Sequence, residues 1–189
     1  MEAIARLAGI AKGTIYLYFR SKEEILVALI EDRFARLRTL IRNKLLLTSD
    51  SSQPPFPSAS DQAPAFDLDK KIEVRESIRR IIDAHFTFYR EHQEFIAILY
   101  GQLGKIARNM EAPAKCSAEE ITQLITGVLT KGVACGVLRP VDPRTLTLAL
   151  QGMIHAVAFD WAVGQNNLPP DEAAESVFQL FWTGAVRVP

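Results

Sequence analysis

Two short helical segments separated by a glycine open the chain. Residues 2–8 place apolar side chains on one side, and Gly9 then stops that helix, because glycine enters left-handed backbone space at little cost. The stretch KGTIYLYF predicts a second short helix, in which Ile15 and Phe19 are four apart and are expected to be buried together. Ala5 is small enough for the two helices to cross closely. The spacing predicts a helix-turn-helix.

The outward side of the second helix carries groups suited to duplex DNA. Its N-terminal end is the end that enters a major groove, and backbone amides there favour phosphate. Tyrosine hydroxyls can donate to phosphate oxygens, and a lysine opening the next helix can bind another phosphate. An ordinary helical hairpin with aromatic core residues has the same pattern, so the pattern alone leaves both interpretations open. The predicted DNA contacts are Lys12, Gly13, Thr14, Tyr16, Tyr18 and Lys22.

A third helix and a linker follow. Ser21 and Glu24 fit a capping box, and apolar spacing extends this helix to about Leu47. Residues 48–67 contain four prolines and five serines, a composition typical of a linker or a disordered loop. The chain is therefore expected to comprise a head over residues 1–47 and a larger body over residues 68–189.

The body has helical periodicity throughout. Apolar stripes predict a helix over 68–91, a break near His92 and a second helix after that break. A further helix is expected over roughly 117–136. Asp142 and Pro143 are the N-cap and first position of the next, and the last covers about 170–187. No alternating strand pattern is present, so the predicted fold class is all-α.

Charge and composition narrow the function classes. The formal net charge is zero, but residues 1–47 hold nine Lys and Arg against five Asp and Glu, whereas residues 48–189 hold thirteen against seventeen. A basic head on an acidic body favours contact with a polyanion. Without a glycine-rich phosphate loop, a nucleophile elbow or a metal tetrad, we predict no enzyme activity, metal or cofactor. Two cysteines, and no signal peptide or membrane-spanning stretch, favour a cytoplasmic protein.

The run IARLAGIAKGTIYLYFRSKEEIL, residues 4–26, closely resembles the DNA-binding signature of the TetR family of transcriptional regulators. The resemblance implies an all-α homodimer with one helix-turn-helix per subunit, operator DNA as partner, and repression relieved by a small molecule. It implies operator contacts for Thr14, Tyr16, Tyr18 and Lys22, and close approach of the backbone to DNA at Gly13. Ala11 stands where the family often has serine. The family also begins with a helix behind the helix-turn-helix, whereas this sequence starts within the counterpart of the second family helix.

Subunit pairing is predicted for the last two helices. Residues 143–163 are apolar almost all round, so one face is expected to meet a partner. Both helices could instead be buried within one subunit. The predicted interface residues are Gly152, Phe178, Phe181 and Trp182.

A ligand site is expected among the body helices, where apolar pockets carry a few polar groups. His155 and Asp160 could supply that polarity, although aromatic residues at helical spacing are also typical of a plain core. The predicted walls are Phe86, Tyr89, Phe95, Leu99, Leu103, Met153 and Phe159. The predicted function is a ligand-responsive DNA-binding transcriptional regulator, a repressor released by a small apolar molecule. The alternative is a helical sensor or dimerisation protein without competent DNA binding.

Overall fold

A computed structural model describes residues 1–46, 68–99, 112–162, 164 and 168–187 of the chain. The described residues contain helices and no β-strand, as predicted, apart from one isolated antiparallel bridge between Leu138 and Val186. No helix in these ranges is long and apolar enough to cross a membrane. The helices are α1 (Glu2–Ala8), α2 (Lys12–Tyr18), α3 (Lys22–Leu46), α4 (Leu68–Glu91), α5 (described over 93–99), α6 (Ala112–Ala134), α7 (Pro143–Ala162) and α8 (Pro170–Ala185).

Most helix ends follow their local sequence. The carboxylate of Asp142 accepts a hydrogen bond from the backbone N–H of Thr145 at 2.9 Å, which confirms the predicted cap of α7. Helix α6 begins at Ala112, earlier than the predicted start near residue 117, because a proline in the first turn has no hydrogen bond to lose there. The predicted linker, residues 48–67, lies outside the described residues, so the division into head and body stays a prediction.

The six later helices share one core. Helix α3 packs against α4 and α6, α4 also packs against α8, and α7 packs against α6 and α8. Fully buried aliphatic side chains at the centre include Ile41, Ile78, Ile125, Leu150 and Ile154. Helices α1 and α2 pack on each other at the start of the chain. Since α3 begins beside α2 and its later residues enter the core, it connects the helix-turn-helix to the rest of the molecule.

The aromatic residues of α8 belong to this core. Phe178, Phe181 and Trp182 are only 1%, 4% and 9% exposed. The rings of Phe178 and Trp182 stack with centroids 6.2 Å apart, and the guanidinium of Arg79 lies 4.1 Å from the Phe178 centroid. Side chains already covered inside one subunit have almost no surface to offer a partner. Their assignment to a dimer interface stays a prediction, and most of their surface is already covered within the subunit.

Candidate functional site

The turn between α1 and α2 depends on Gly9. Its φ of 67° and ψ of 26° lie in left-handed backbone space, where a side chain would be strained. The N–H of Gly9 donates to the Arg6 carbonyl at 3.3 Å, and the N–H of Ile10 donates to the Ala5 carbonyl at 3.0 Å. These two bonds close the end of α1. Helix α2 then starts at Lys12, so the predicted tight turn is confirmed.

One side chain from each helix fills their contact. Ala5 of α1 and Ile15 of α2 are 3% and 5% exposed, and each is the buried residue of its helix. Phe19, which ends α2 in an extended conformation, is half-buried rather than fully buried as expected. The small Ala5 side chain lets α2 lie close to α1, which fixes the direction of the outward face of α2.

The predicted DNA contacts lie on the open side of α2. Tyr16 and Tyr18 are 50% and 75% exposed, and Lys12 is also exposed, whereas Thr14 is half-buried. A Cβ added at Gly13 would meet no atom within 4 Å, and Gly13 does not have positive φ. Neither packing within the subunit nor backbone conformation therefore requires glycine at this position.

The start of α3 is tied to the end of α2 by hydrogen bonds. The backbone N–H of Glu24 donates to the Ser21 hydroxyl at 3.1 Å, as in the predicted capping box. The Glu24 carboxylate accepts from the backbone N–H of Arg20 rather than from that of Ser21. Lys22, at the first position of α3, is left exposed beside α2.

Exposed cations also lie on α1, at the start of α2 and between α2 and α3. The ammonium group of Lys12 lies 3.8 Å from the Glu2 carboxylate, so its charge is partly balanced. Arg6 and Arg20 are both exposed and were not among the predicted contacts. The charge asymmetry of the sequence marks the head as basic, but it does not assign a role to individual residues.

A cavity of about 130 Å³, here called the central cavity, lies between α3, α4, α5, α6 and α7. Of the predicted pocket residues, Tyr89 and Leu99 line it. Phe86 and Phe95 are buried in the core away from its walls, and Met153 is half-buried without lining it. The cavity is lined by Phe34, Leu37, His85, Phe88, Tyr89, Ile96, Leu99, Ala118, Ile121, Thr122, Gln151 and His155.

Phe159 is 41% exposed on α7 and does not line this cavity, so its role as a pocket wall stays a prediction. Leu103 lies outside the described residues. Of the two polar residues suggested for the pocket, His155 lines the cavity and Asp160 does not.

The polar groups of this central cavity are neutral. His85 is 1% exposed, and burial lowers the pKa of its imidazole to about 4, while burial also lowers the pKa of His155. The two rings have centroids 6.5 Å apart. Also in the lining, the Gln151 amide donates to the Thr122 hydroxyl at 3.4 Å. An apolar cavity with a few uncharged hydrogen-bonding groups suits an apolar or weakly polar small molecule.

Sequence reasoning missed His85, Gln151 and Thr122 as lining residues. His85 lies on the apolar stripe of α4, where its position alone does not distinguish a core histidine from a ligand contact. Among the residues that the structure describes, no group of three or more His, Cys, Asp and Glu side chains is arranged to hold a metal ion.

Both parts of the chain match known families. Residues 1–29 match the family described as bacterial regulatory proteins, tetR family. Residues 71–185 match the family described as the tetracyclin repressor-like C-terminal domain. The first range covers α1, α2 and the start of α3, and the second covers α4 from its fourth residue onwards together with the helices that follow it.

Three relatives extend this comparison. The chain is 23% identical to the fatty acid metabolism regulator protein of Bacillus subtilis, over 97% of this chain and 84% of the relative. It is 21% identical to the transcriptional activator FasR of Mycolicibacterium smegmatis, over 100% of this chain and 74% of the relative. The structure of the Bacillus subtilis regulator FadR in complex with stearoyl-CoA superposes with a TM-score of 0.67 at 23% identity, covering 97% of this chain and 87% of that one. The chain belongs to the tetR family of bacterial regulatory proteins and is a ligand-responsive, DNA-binding transcriptional regulator.

Proposed function

We propose that the chain acts in the bacterial cytoplasm as a homodimeric repressor, which binds operator DNA and leaves it when a fatty-acyl compound binds the body. The observation that carries the proposal is the outward side of α2, a helix packed against α1. It exposes Lys12, Tyr16 and Tyr18, and Lys22 is exposed at the start of α3. Such a face can enter a major groove, with hydroxyl and ammonium groups donating to phosphate oxygens.

Gly13 supports the same docking. No packing contact with the residues that the structure describes and no backbone requirement explains a glycine there, and glycine lowers helix stability by about 1 kcal/mol relative to alanine. Close approach of the sugar-phosphate backbone to the first turn of α2 would explain it, since a side chain at this position would then stand between protein and DNA.

Pairing of two subunits would place two such faces on neighbouring half-sites, which are about 34–36 Å apart or a multiple of that. Leu148 of α7 and Leu180 of α8 are 55% and 66% exposed, although both are large and apolar. Gly152 and Gly184 lie on the same two helices, and a Cβ added at either would meet only open space. Exposed leucines next to glycines that have free space around them would allow the helices of two subunits to pack closely.

The effector class is inferred from the cavity and from the relatives. The names of two relatives refer to fatty acid metabolism and to stearoyl-CoA. A cavity of about 130 Å³ is close to the size of the engineered cavity of about 150 Å³ that takes up benzene. As it stands it would hold only the end of an acyl chain, so a longer chain would have to widen it.

Widening the cavity would act on DNA binding through α3. Phe34 and Leu37 of α3 are cavity walls, and the same helix begins with Lys22 beside α2. A ligand that favours a displaced α3 would shift the population towards a dimer whose heads no longer match the half-site spacing.

Lysine variants test the DNA-binding part. The full chain is titrated with a duplex from upstream of its own gene at several salt concentrations, as wild type, Lys22→Gln and Lys44→Gln. Lys22→Gln is expected to weaken binding and to reduce the salt slope by about one. Lys44→Gln removes the same charge at the far end of α3 and should change neither. Undiminished DNA binding by Lys22→Gln would exclude a phosphate contact at Lys22. If the wild-type chain retains no duplex even at low salt, a sensor without DNA binding would be favoured.

Effector and direction of regulation are tested separately. Stearoyl-CoA added to the protein–DNA complex should release the duplex, whereas free coenzyme A should not. Expression of a reporter fused to the bound promoter should rise when the gene that encodes this chain is deleted. A fall would instead indicate activation, the activity named for the FasR relative.

A further inference from the structure

A second and larger cavity opens between α3, α4 and α6. Its volume is about 580 Å³, within the range of about 300–1,000 Å³ typical of small-molecule sites. It shares no lining residue with the central cavity. Fully buried Ile41, Ile78 and Ile125 occupy intermediate positions on the same three helices. We call it the α3–α4–α6 cleft; its lining includes Arg38, Arg42, Leu45, Val74, Leu124, Val128 and Lys131.

The cleft combines an apolar floor with a cationic edge. Four aliphatic side chains line it, together with three cations and the two carboxylates of Glu73 and Glu120, which leaves one net positive charge. Arg38 pairs with Glu120 across α3 and α6, and Lys131 pairs with Glu73 at 2.6 Å across α6 and α4. These partly exposed pairs add little stability, but they hold two cations at the edge of the cleft.

Arg42 differs from the other two cations. It is exposed, and it makes no ion pair with any residue in the described part of the chain. A guanidinium group can bind a carboxylate or phosphate through two parallel hydrogen bonds. Beside it, Gly127 leaves open space in the wall, because a Cβ added there would meet no atom within 4 Å. An apolar chain lying along Val74 and Leu124 would therefore end close to an unpaired cation.

We propose that the α3–α4–α6 cleft is a second ligand site, separate from the central cavity, which binds an apolar chain that ends in an anionic group. Arg42 would bind the anion, and the aliphatic side chains of the lining would cover the chain, while the paired charges of Arg38 and Lys131 are balanced by Glu120 and Glu73. The anion could be the carboxylate of a fatty acid or the phosphates of an acyl thioester, which share this chemistry. The choice of a fatty-acyl probe rests on the proposed function, but the site itself rests on the cleft.

The test isolates the cleft by filling the central cavity. Ala118 lines the central cavity and Gly127 lines the cleft, both on α6, so Ala118→Leu and Gly127→Leu are matched variants that each fill one space. Binding of dodecanoate, dodecanoyl-CoA and dodecanol to the full chain is measured by calorimetry below their aggregation concentrations. In the Ala118→Leu protein, at least one of the two anionic probes should still bind, and dodecanol should bind at least tenfold more weakly.

Two added substitutions complete the test. Gly127→Leu in the Ala118→Leu protein should abolish this binding, and Arg42→Gln should weaken it about tenfold, as expected for a lost charged hydrogen bond. Lys44→Gln, two residues away and outside the cleft, should have no effect. Binding of dodecanoate alone would identify the carboxylate source, and binding of dodecanoyl-CoA alone the phosphate source.

Three results would overturn the proposal: loss of all binding in Ala118→Leu, persistence of binding after Gly127→Leu, or equal binding of dodecanol. If Ala118→Leu does not fold by circular dichroism, the Arg42→Gln and Lys44→Gln comparison in the wild-type chain carries the test, and equal affinities there would exclude the site. DNA is absent from these measurements, so a failure of operator binding cannot be mistaken for a failure of the cleft.

Discussion

Nδ1 of His85 lies 2.7 Å from the carbonyl oxygen of Ile81, one turn earlier in α4. A carbonyl oxygen can only accept, so in the neutral ring the proton is on Nδ1 and Nε2 is left as an acceptor. The ring is buried beside Tyr89 and His155, with centroid distances of 6.0 and 6.5 Å. Burial in these surroundings favours the uncharged form of His85, which lowers its pKa.

Acid is expected to destabilise the wild type more than His85→Gln. Burial lowers the pKa of His85 from 6.5 to about 4, so the unfolded chain takes up this proton first as the pH falls. The contribution of His85 to the free energy of unfolding is complete above pH 6.5 and is lost as the pH falls towards 4. Between about pH 7 and about pH 4.5 the free energy of unfolding should fall by about 2–3 kcal/mol more in the wild type than in His85→Gln. Urea unfolding at each pH measures this difference.

His92→Gln is the matched control, because that ring is half-exposed. Burial and the nearby Arg33 also lower the pKa of His92, so its substitution should change the pH dependence in the same direction but by less. If wild type and His85→Gln lose the same stability over this range, His85 does not titrate as stated.

The cap of α3 gives a second prediction. Ser21→Ala removes the acceptor for the N–H of Glu24, so the free energy of unfolding should fall by about 1 kcal/mol. Ser176→Ala is the control, because that hydroxyl only donates to the carbonyl of Glu172 within α8 and caps no helix end. Thermal unfolding compares the two. Equal melting temperatures for both variants would show that the Ser21 hydroxyl does not stabilise the start of α3.

Local sequence predicted the positions where a residue has a specific backbone role. Gly9 ends α1 because of its positive φ, and Asp142 caps α7 with its side chain, so both could be identified without tertiary information. Helix α6 begins earlier than the predicted residue 117, and Pro113 lies within its first turn. Proline is equally compatible with the first turn of a helix.

The packing partners of an apolar face could not be predicted in the same way. Phe178, Phe181 and Trp182 form one stripe at helical spacing, and the stripe predicts burial but not the neighbour that covers it. In the structure α4 covers it, with Arg79 above the Phe178 ring. The α3–α4–α6 cleft was missed because its cations come from α3 and α6, which are far apart in sequence.

The core position of Phe178 leads to a third prediction. Phe178→Ala should lower the free energy of unfolding by about 3–5 kcal/mol, because the cavity would form in a closed core that includes the Trp182 ring. Ile72→Ala is the control, since Ile72 is 56% exposed, and it should change stability by less than about 0.5 kcal/mol. Chemical unfolding measures both. A small loss for Phe178→Ala would mean that the ring is not part of a closed core.

Subunit association should depend instead on the exposed side of α7 and α8. Leu180 is 66% exposed one turn from the open Gly184, so a partner helix could cover both. Leu180→Glu would bury a carboxylate in that contact, which costs several kcal/mol per ion and should shift the dimer towards monomer at micromolar concentration. Sedimentation velocity measures the shift. Ile72→Glu, an equally polar change at an exposed isoleucine of α4, should leave the dimer intact. A dimer that survives Leu180→Glu, or a wild type that is monomeric throughout, would exclude this face as the interface.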